Sequence, residues 1–231
     1  AFWCSPAALD PISHTAAHEI GHAFQYQVYC DWYAGTTPAS PRVKGFRYEN
    51  GNGSTFWEQT AQWQAMQAFP SFCFSESYPL FGRTPNYAMT HEWHRYQSYW
   101  WHEYLAEKHN DYTIVGQIWN GATSWGQDPN QVYQAVSGIT TEELYRRYFE
   151  YACKCATFDF TAAKSYRSNY IGNFDYKYVS LGDKKYQVAY QSCPQSTGFN
   201  VIELDVPSSG TQVTTAFTAL VPGCALASGD T

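Results

Sequence analysis

The tryptophans divide this chain. All nine lie at or before Trp125, and none follows. Up to about residue 165, apolar and aromatic side chains recur at helical spacing; after Asn173 they alternate with polar ones. These two periods place side chains on faces in incompatible ways, so one segment cannot serve both. The expected fold class is therefore mainly α, followed by a small antiparallel β module. The spacing predicts helices over 13–32, 54–69, 92–109, 129–137 and 140–155. Pro70 ends the second, Asp128-Pro129 opens the fourth, and Thr140-x-x-Glu143 opens the fifth as a capping box. Alternation over 184–191, 198–206 and 211–220, punctuated by Gly198, Gly210 and Pro222-Gly223, predicts strands and hairpin turns. The expected division is 1–170 for the helical domain and 171–231 for the β-rich module.

Composition narrows the function classes. Of the 231 residues only 15% are charged, while 19% are aromatic, and the formal net charge is -6. Disordered chains show the reverse balance. A nucleic-acid binder carries a basic stripe, yet no Lys or Arg precedes Arg42. No apolar run approaches the roughly 20 residues that a membrane helix requires, so no membrane insertion is expected. Seven widely spaced cysteines, at 4, 30, 73, 153, 155, 193 and 224, suggest disulfides in an oxidising compartment. Buried free thiols are the plainer alternative. The chain opens at Ala1 without Met, as a mature or trimmed secreted product would.

The strongest chemical signal is Ala17-His18-Glu19-Ile20-Gly21-His22. On a helix, His18 and His22 sit one turn apart on one face, where two imidazoles can share a zinc ion. Glu19 can then lean toward a water at an open coordination position and take its proton. A third protein ligand is needed. Glu58, in Phe56-Trp57-Glu58-Gln59-Thr60-Ala61-Gln62-Trp63, is the candidate, because Ala61 one turn on would let its helix pack closely against the first. Thr55-x-x-Glu58 also fits a capping box, in which Glu58 would only close a helix start. Glu49 and Glu76 are poorer candidates, in a Gly/Asn-rich loop and between aromatic turns.

With these residues the chain resembles the gluzincin clan of zinc metallopeptidases, in which an H-E-x-x-H helix is followed by a helix bearing a glutamate ligand. The strings AHEIGHAFQ and FWEQTAQW are most similar to a group of secreted bacterial gluzincin-like proteins. They are also similar to enhancin-like, mucin-directed peptidases. The resemblance covers about residues 10–125. It implies a zincin-like helical core, zinc as cofactor, His18, His22 and Glu58 as ligands, and Glu19 as catalytic base. It further implies a protein or glycoprotein substrate, and a secreted or cell-surface setting. Two departures stand out. Many gluzincins carry an Asp four residues after the glutamate ligand, and here that position is Gln62. The family's sheet precedes the first zinc helix, whereas only about a dozen residues do so here; either the sheet lies on a removed upstream segment or this is a reduced version.

A donor that stabilises the oxyanion is also expected. His94 and Tyr96 are the candidates, with His91 behind them; a polar helix start is the alternative. His14 shares the face of His18 and His22, but the outer pair stands about 12 Å apart by helical rise and cannot close on one ion. It reads as a rim residue or a plain polar one. His102 and His109 read as surface residues, and Gln25 has no assigned role. Trp57, Trp63, Trp93, Trp100 and Trp101 cluster near the motifs, as core or as cleft wall. A non-catalytic scaffold that holds glycans or glycoproteins is the rival to a peptidase.

Overall fold

The computed structural model describes residues 9–34, 44–47, 52–70, 81–165, 167–169, 178–204, 208–210 and 213–216; for 9–11, 29–34, 52–54 and 169 it describes the backbone alone. The chain divides into two compact units, Ala1–Val201 and Ile202–Thr231. The first is mainly helical: α1 (Leu9–Ala34), α2 (Asn52–Ala68), α3 (Trp100–His109), α4 (Ile114–Gly121), α5 (Pro129–Ser137) and α6 (Thr141–Thr157). A two-stranded antiparallel sheet follows, β1 (Tyr178–Gly182) with β2 (Lys185–Val188). Mainly α with a small antiparallel sheet after it is the expected class. Among the described residues no helix is long and apolar enough to cross a membrane.

Local chemistry sets several of these boundaries. The Asp128 side chain accepts from the Asn130 N–H, Pro129 supplies a preset φ, and left-handed Gly138 ends α5. The Thr140 hydroxyl accepts from the Glu143 N–H at the start of α6. Other boundaries differ from expectation. The segment predicted as one helix over 92–109 begins as a single 3-10 turn, Glu92–His94, and becomes helical only at Trp100. Helix α4 was not expected, since Gly116 and Gly121 dilute its short pattern; Ile114, Val115, Ile118 and Trp119 nevertheless bury one face.

The two main helices meet at a point that only small residues allow. A Cβ placed on Gly21 would lie 3.0 Å from the Ala61 Cα and 2.6 Å from the Gln64 Oε1. Ala61 is fully buried. Glycine facing alanine thus brings the backbones of α1 and α2 close enough for short side chains to meet between them. Around this contact the rings form the core: Trp57, Trp63, Trp100 and Trp101 are all buried, while Trp93 is 53% exposed. Of the five tryptophans near the motifs, four are thus packed in the core.

Beyond α6 the described residues hold fewer strands than the alternation suggests; 205–206, 211–212 and 217–220 of the expected strands lie outside them. The hairpin turns through Asp183-Lys184, both at positive φ, which matches the twist of the flanking strands. Residues 198–204 and 213–216 form no strand. The stretch before them pairs with a loop instead: the Gln195 N–H donates to the Asn86 carbonyl and the Phe199 N–H to the Pro85 carbonyl. A Cβ on Gly198 would stand 2.1 Å from that Asn86 oxygen, so the close approach requires glycine. Phe199 and Val201 pack against the helical core. Alternation here served docking onto helices rather than a sheet.

Cys153, Cys155 and Cys193 carry free thiols. The side chains of Cys4, Cys30, Cys73 and Cys224 lie outside the described residues, as do Glu49 and Glu76.

Candidate metal centre

Helix α1 presents His18 and His22 one turn apart, and α2 presents Glu58 and Gln62 one turn apart, directly across the Gly21–Ala61 contact. One ligand atom from each of His18, His22 and Glu58 lies within 4.8 Å of the others. Glu58 Oε2 stands 3.0 Å from His18 Nε2 and 3.4 Å from His22 Nε2. Around a tetrahedral zinc with bonds near 2.0–2.1 Å, adjacent ligand atoms are about 3.3 Å apart. Both distances to Glu58 Oε2 match that spacing, and the third lies within 4.8 Å. Helix α2 begins at Asn52, ahead of Thr55, and the Thr55 hydroxyl donates to the Thr90 carbonyl at 2.9 Å. Glu58 is not a helix cap; it faces the histidines.

The far side of each imidazole is also committed. His18 Nδ1 lies 3.0 Å from Gln62 Oε1, and His22 Nδ1 lies 2.7 Å from Gln25 Oε1. An amide oxygen only accepts, so each Nδ1 carries a proton; Nε2 donates to Glu58 when the ring is protonated, and its lone pair would serve a cation once that second proton is lost. The Gln25 orientation is itself fixed: its amide nitrogen donates to the Trp57 carbonyl at 2.8 Å and to the Thr60 hydroxyl at 2.9 Å. Trp119 Nε1 also donates to Thr60, at 3.1 Å. Trp57 stacks on the His22 ring, centroids 5.5 Å apart. Gln25 is thus a supporting residue that sequence reasoning left without a role. Its position three residues after His22, on the buried face of α1, was the available signal.

Electrostatics follow from this convergence. Burial opposes ionisation of Glu58, but hydrogen bonds from His18 and His22 outweigh it and hold the carboxyl down at about 2. Burial likewise works against a charged His22, yet its bonds to Glu58 and Gln25, aided by the charge of Glu19, raise its pKa. Two imidazoles aimed at one carboxylate oxygen favour positive charge at that point, and a bound cation would supply it.

The remaining candidates are distributed unevenly. Glu19 is exposed, beside His18 on α1. The Tyr96 ring lies 5.9 Å from the His18 ring and is 41% exposed. The loop that carries it is stitched to α2, because the Gln59 amide donates to the carbonyls of Met89 and His94. The His94 side chain is not brought to the cluster: it is buried against Phe81 and Tyr87, with Nε2 2.9 Å from the Thr84 hydroxyl. Burial pushes its pKa down to about 4. His91 packs on Tyr87 and accepts from the Trp93 N–H. His14 is buried rather than at a rim; burial, then the neighbouring His18, lower its pKa. His102, read as a surface residue, is fully buried against Phe56, and His109 meets the Tyr133 hydroxyl at 3.0 Å.

Helices and site together define a helical protein with a His-His-Glu cluster of metal-binding geometry. The chain belongs to a family described as a family of unknown function (DUF6055), whose profile matches residues 1–226. No curated protein and no solved structure matches it.

Proposed function

We propose that the chain is a zinc-dependent peptidase of gluzincin type, acting on a protein or glycoprotein outside the cell. The observation that carries this reading is the convergence of His18 Nε2, His22 Nε2 and Glu58 Oε2, with both Nδ1 atoms already committed. Bound there, zinc would supply Lewis acidity to a water and to the carbonyl under attack. Glu19, exposed beside His18, would accept a proton from a water held there and later deliver it to the leaving amine. Water thus adds across the C–N bond, oxygen to carbon and hydrogen to nitrogen. Tyr96 is the better oxyanion donor, since its ring is exposed beside His18, whereas the His94 ring is engaged elsewhere. Gln25 and Gln62 hold the imidazoles in the binding tautomer without adding charge.

The test is metal analysis of the wild type and Glu19→Gln, followed by a broad peptide screen with and without a chelator. Both proteins should hold zinc; the wild type should cleave, and the variant should lose about 100-fold or more of the rate. Full activity in Glu19→Gln would sink the assignment. Zinc without any cleavage would favour the non-catalytic scaffold.

A further inference from the structure

On the far side of Gln25 from His22, α1, α2 and α4 border an open cleft of about 460 Å³. That volume lies within the range of small-ligand pockets. We propose that this cleft binds a neutral oligosaccharide. The inference does not rest on the metal reading.

Four rings line the cleft: Phe24, Trp63, Tyr112 and Trp119. Trp63 and Tyr112 are stacked nearly parallel, with 6.0 Å between centroids. Both indole N–H groups point inward, Trp63 to Glu103 Oε2 at 2.9 Å and Trp119 to Thr60. At 6% and 5% exposure these tryptophans form the floor of the cleft, and the ring surface open to a ligand is that of Phe24 and Tyr112. Phe24 and Tyr112 are 63% and 51% exposed and form open flanks. Ring faces carry negative charge density and attract the polarised C–H faces of a sugar.

The other lining groups choose among occupants. Among the described residues no charged side chain lines the cleft, which disfavours an ionic ligand. Gln64, Gln117 and Asn120 contribute amides. The Asn120 nitrogen donates to the Gly116 carbonyl, and the Gln117 nitrogen to Asp111 and Thr113, so both amides are anchored where they line the cleft. An apolar peptide side chain would strip water from these amides and return no partner. Hydroxyl groups replace that water, while the carbon face of the same ligand covers the rings. A neutral carbohydrate meets both requirements at once.

Gly116 supplies a clean test. A Cβ there meets nothing within 4 Å, so a larger side chain enters open space. Replacing glycine inside α4 also favours the helix. The experiment titrates the full chain, by tryptophan fluorescence and ligand-observed NMR, with chitotriose, maltotriose, mannotriose, xylotriose and N-acetyllactosamine. A sialylated trisaccharide and a leucine-rich tripeptide serve as comparators. At least one neutral saccharide should bind. Phe24→Ala and Tyr112→Ala should each weaken it by about tenfold, the scale of one lost ring contact. Gly116→Leu should abolish binding with the melting temperature unchanged or raised. Failure of every neutral saccharide, equal binding by Gly116→Leu, or preference for either comparator would overturn the proposal.

Discussion

Two sets of histidine and glutamate are buried in the same helical unit, and they behave oppositely. At the α1–α2 contact, Glu58 faces two imidazoles and its carboxyl is held down at about 2. In α3, Glu103 is fully buried and accepts from neutral donors, among them Trp63 and Gln67; there burial wins and its pKa is raised. Adjacent His102 has no hydrogen-bond partner on either ring nitrogen, and burial alone lowers its pKa to about 3. The residue types are the same. Convergence separates a candidate metal centre from polar groups that serve the core.

The sharpest way to break this comparison is Glu58→Gln. It removes the anionic ligand and should lower zinc affinity by more than the roughly 10–100-fold that an outer-shell loss costs, as read by competition with a chromogenic chelator. Glu103→Gln should leave that affinity unchanged. An equal loss in both variants would erase the distinction.

Gly21→Ala comes next. The added methyl meets the Ala61 backbone and should destabilise the protein by about 1–3 kcal/mol in urea unfolding. It should also weaken zinc binding, since it parts the two helices. Gln25→Leu should leave stability closer to wild type yet reduce zinc affinity by about 10–100-fold, because His22 Nδ1 loses its acceptor.

The smallest expected effect is a pH dependence. The folded-state pKa of His102 lies below its unfolded value, so between the two the unfolded chain binds more protons. Stability is lost as pH falls from about 6.5 toward 3. His102→Phe should flatten that limb of a stability-versus-pH curve measured in chelator. The Glu58 contribution is present above the ordinary carboxylate value and fades at lower pH, as pH approaches about 2. A curve unchanged by His102→Phe would show that burial of this imidazole does not couple to folding.

Much of the site was legible because its elements are local. His18 and His22 are four apart on one helix, and that spacing needs no tertiary information. Glu58 could be named but not settled, since Thr55-x-x-Glu58 equally described a cap; only the start of α2 at Asn52 and the Thr55 bond to Thr90 decided it. His94 and Tyr96 share one short segment, yet the fold turns the first inward and leaves the second beside His18. His102 was misjudged because a polar residue on a helix has no local mark of burial. The alternation over 198–204 gives no strand because a strand exists only with a partner edge, and here Phe199 and Val201 meet a loop and the helical core instead.

By itself the sequence determined what nearest neighbours dictate: the helical period, the caps at Asp128 and Thr140, and the histidine pair on α1. Hydrogen bonds within one turn and steric preferences of single residues suffice for these. The tertiary structure decided which carboxylate meets the histidines, which glutamines orient them, and which rings become core and which become cleft. Those outcomes depend on how closely α1 and α2 approach at Gly21 and Ala61, a distance between residues forty positions apart. No local pattern encodes it, because packing rather than the chain connects them.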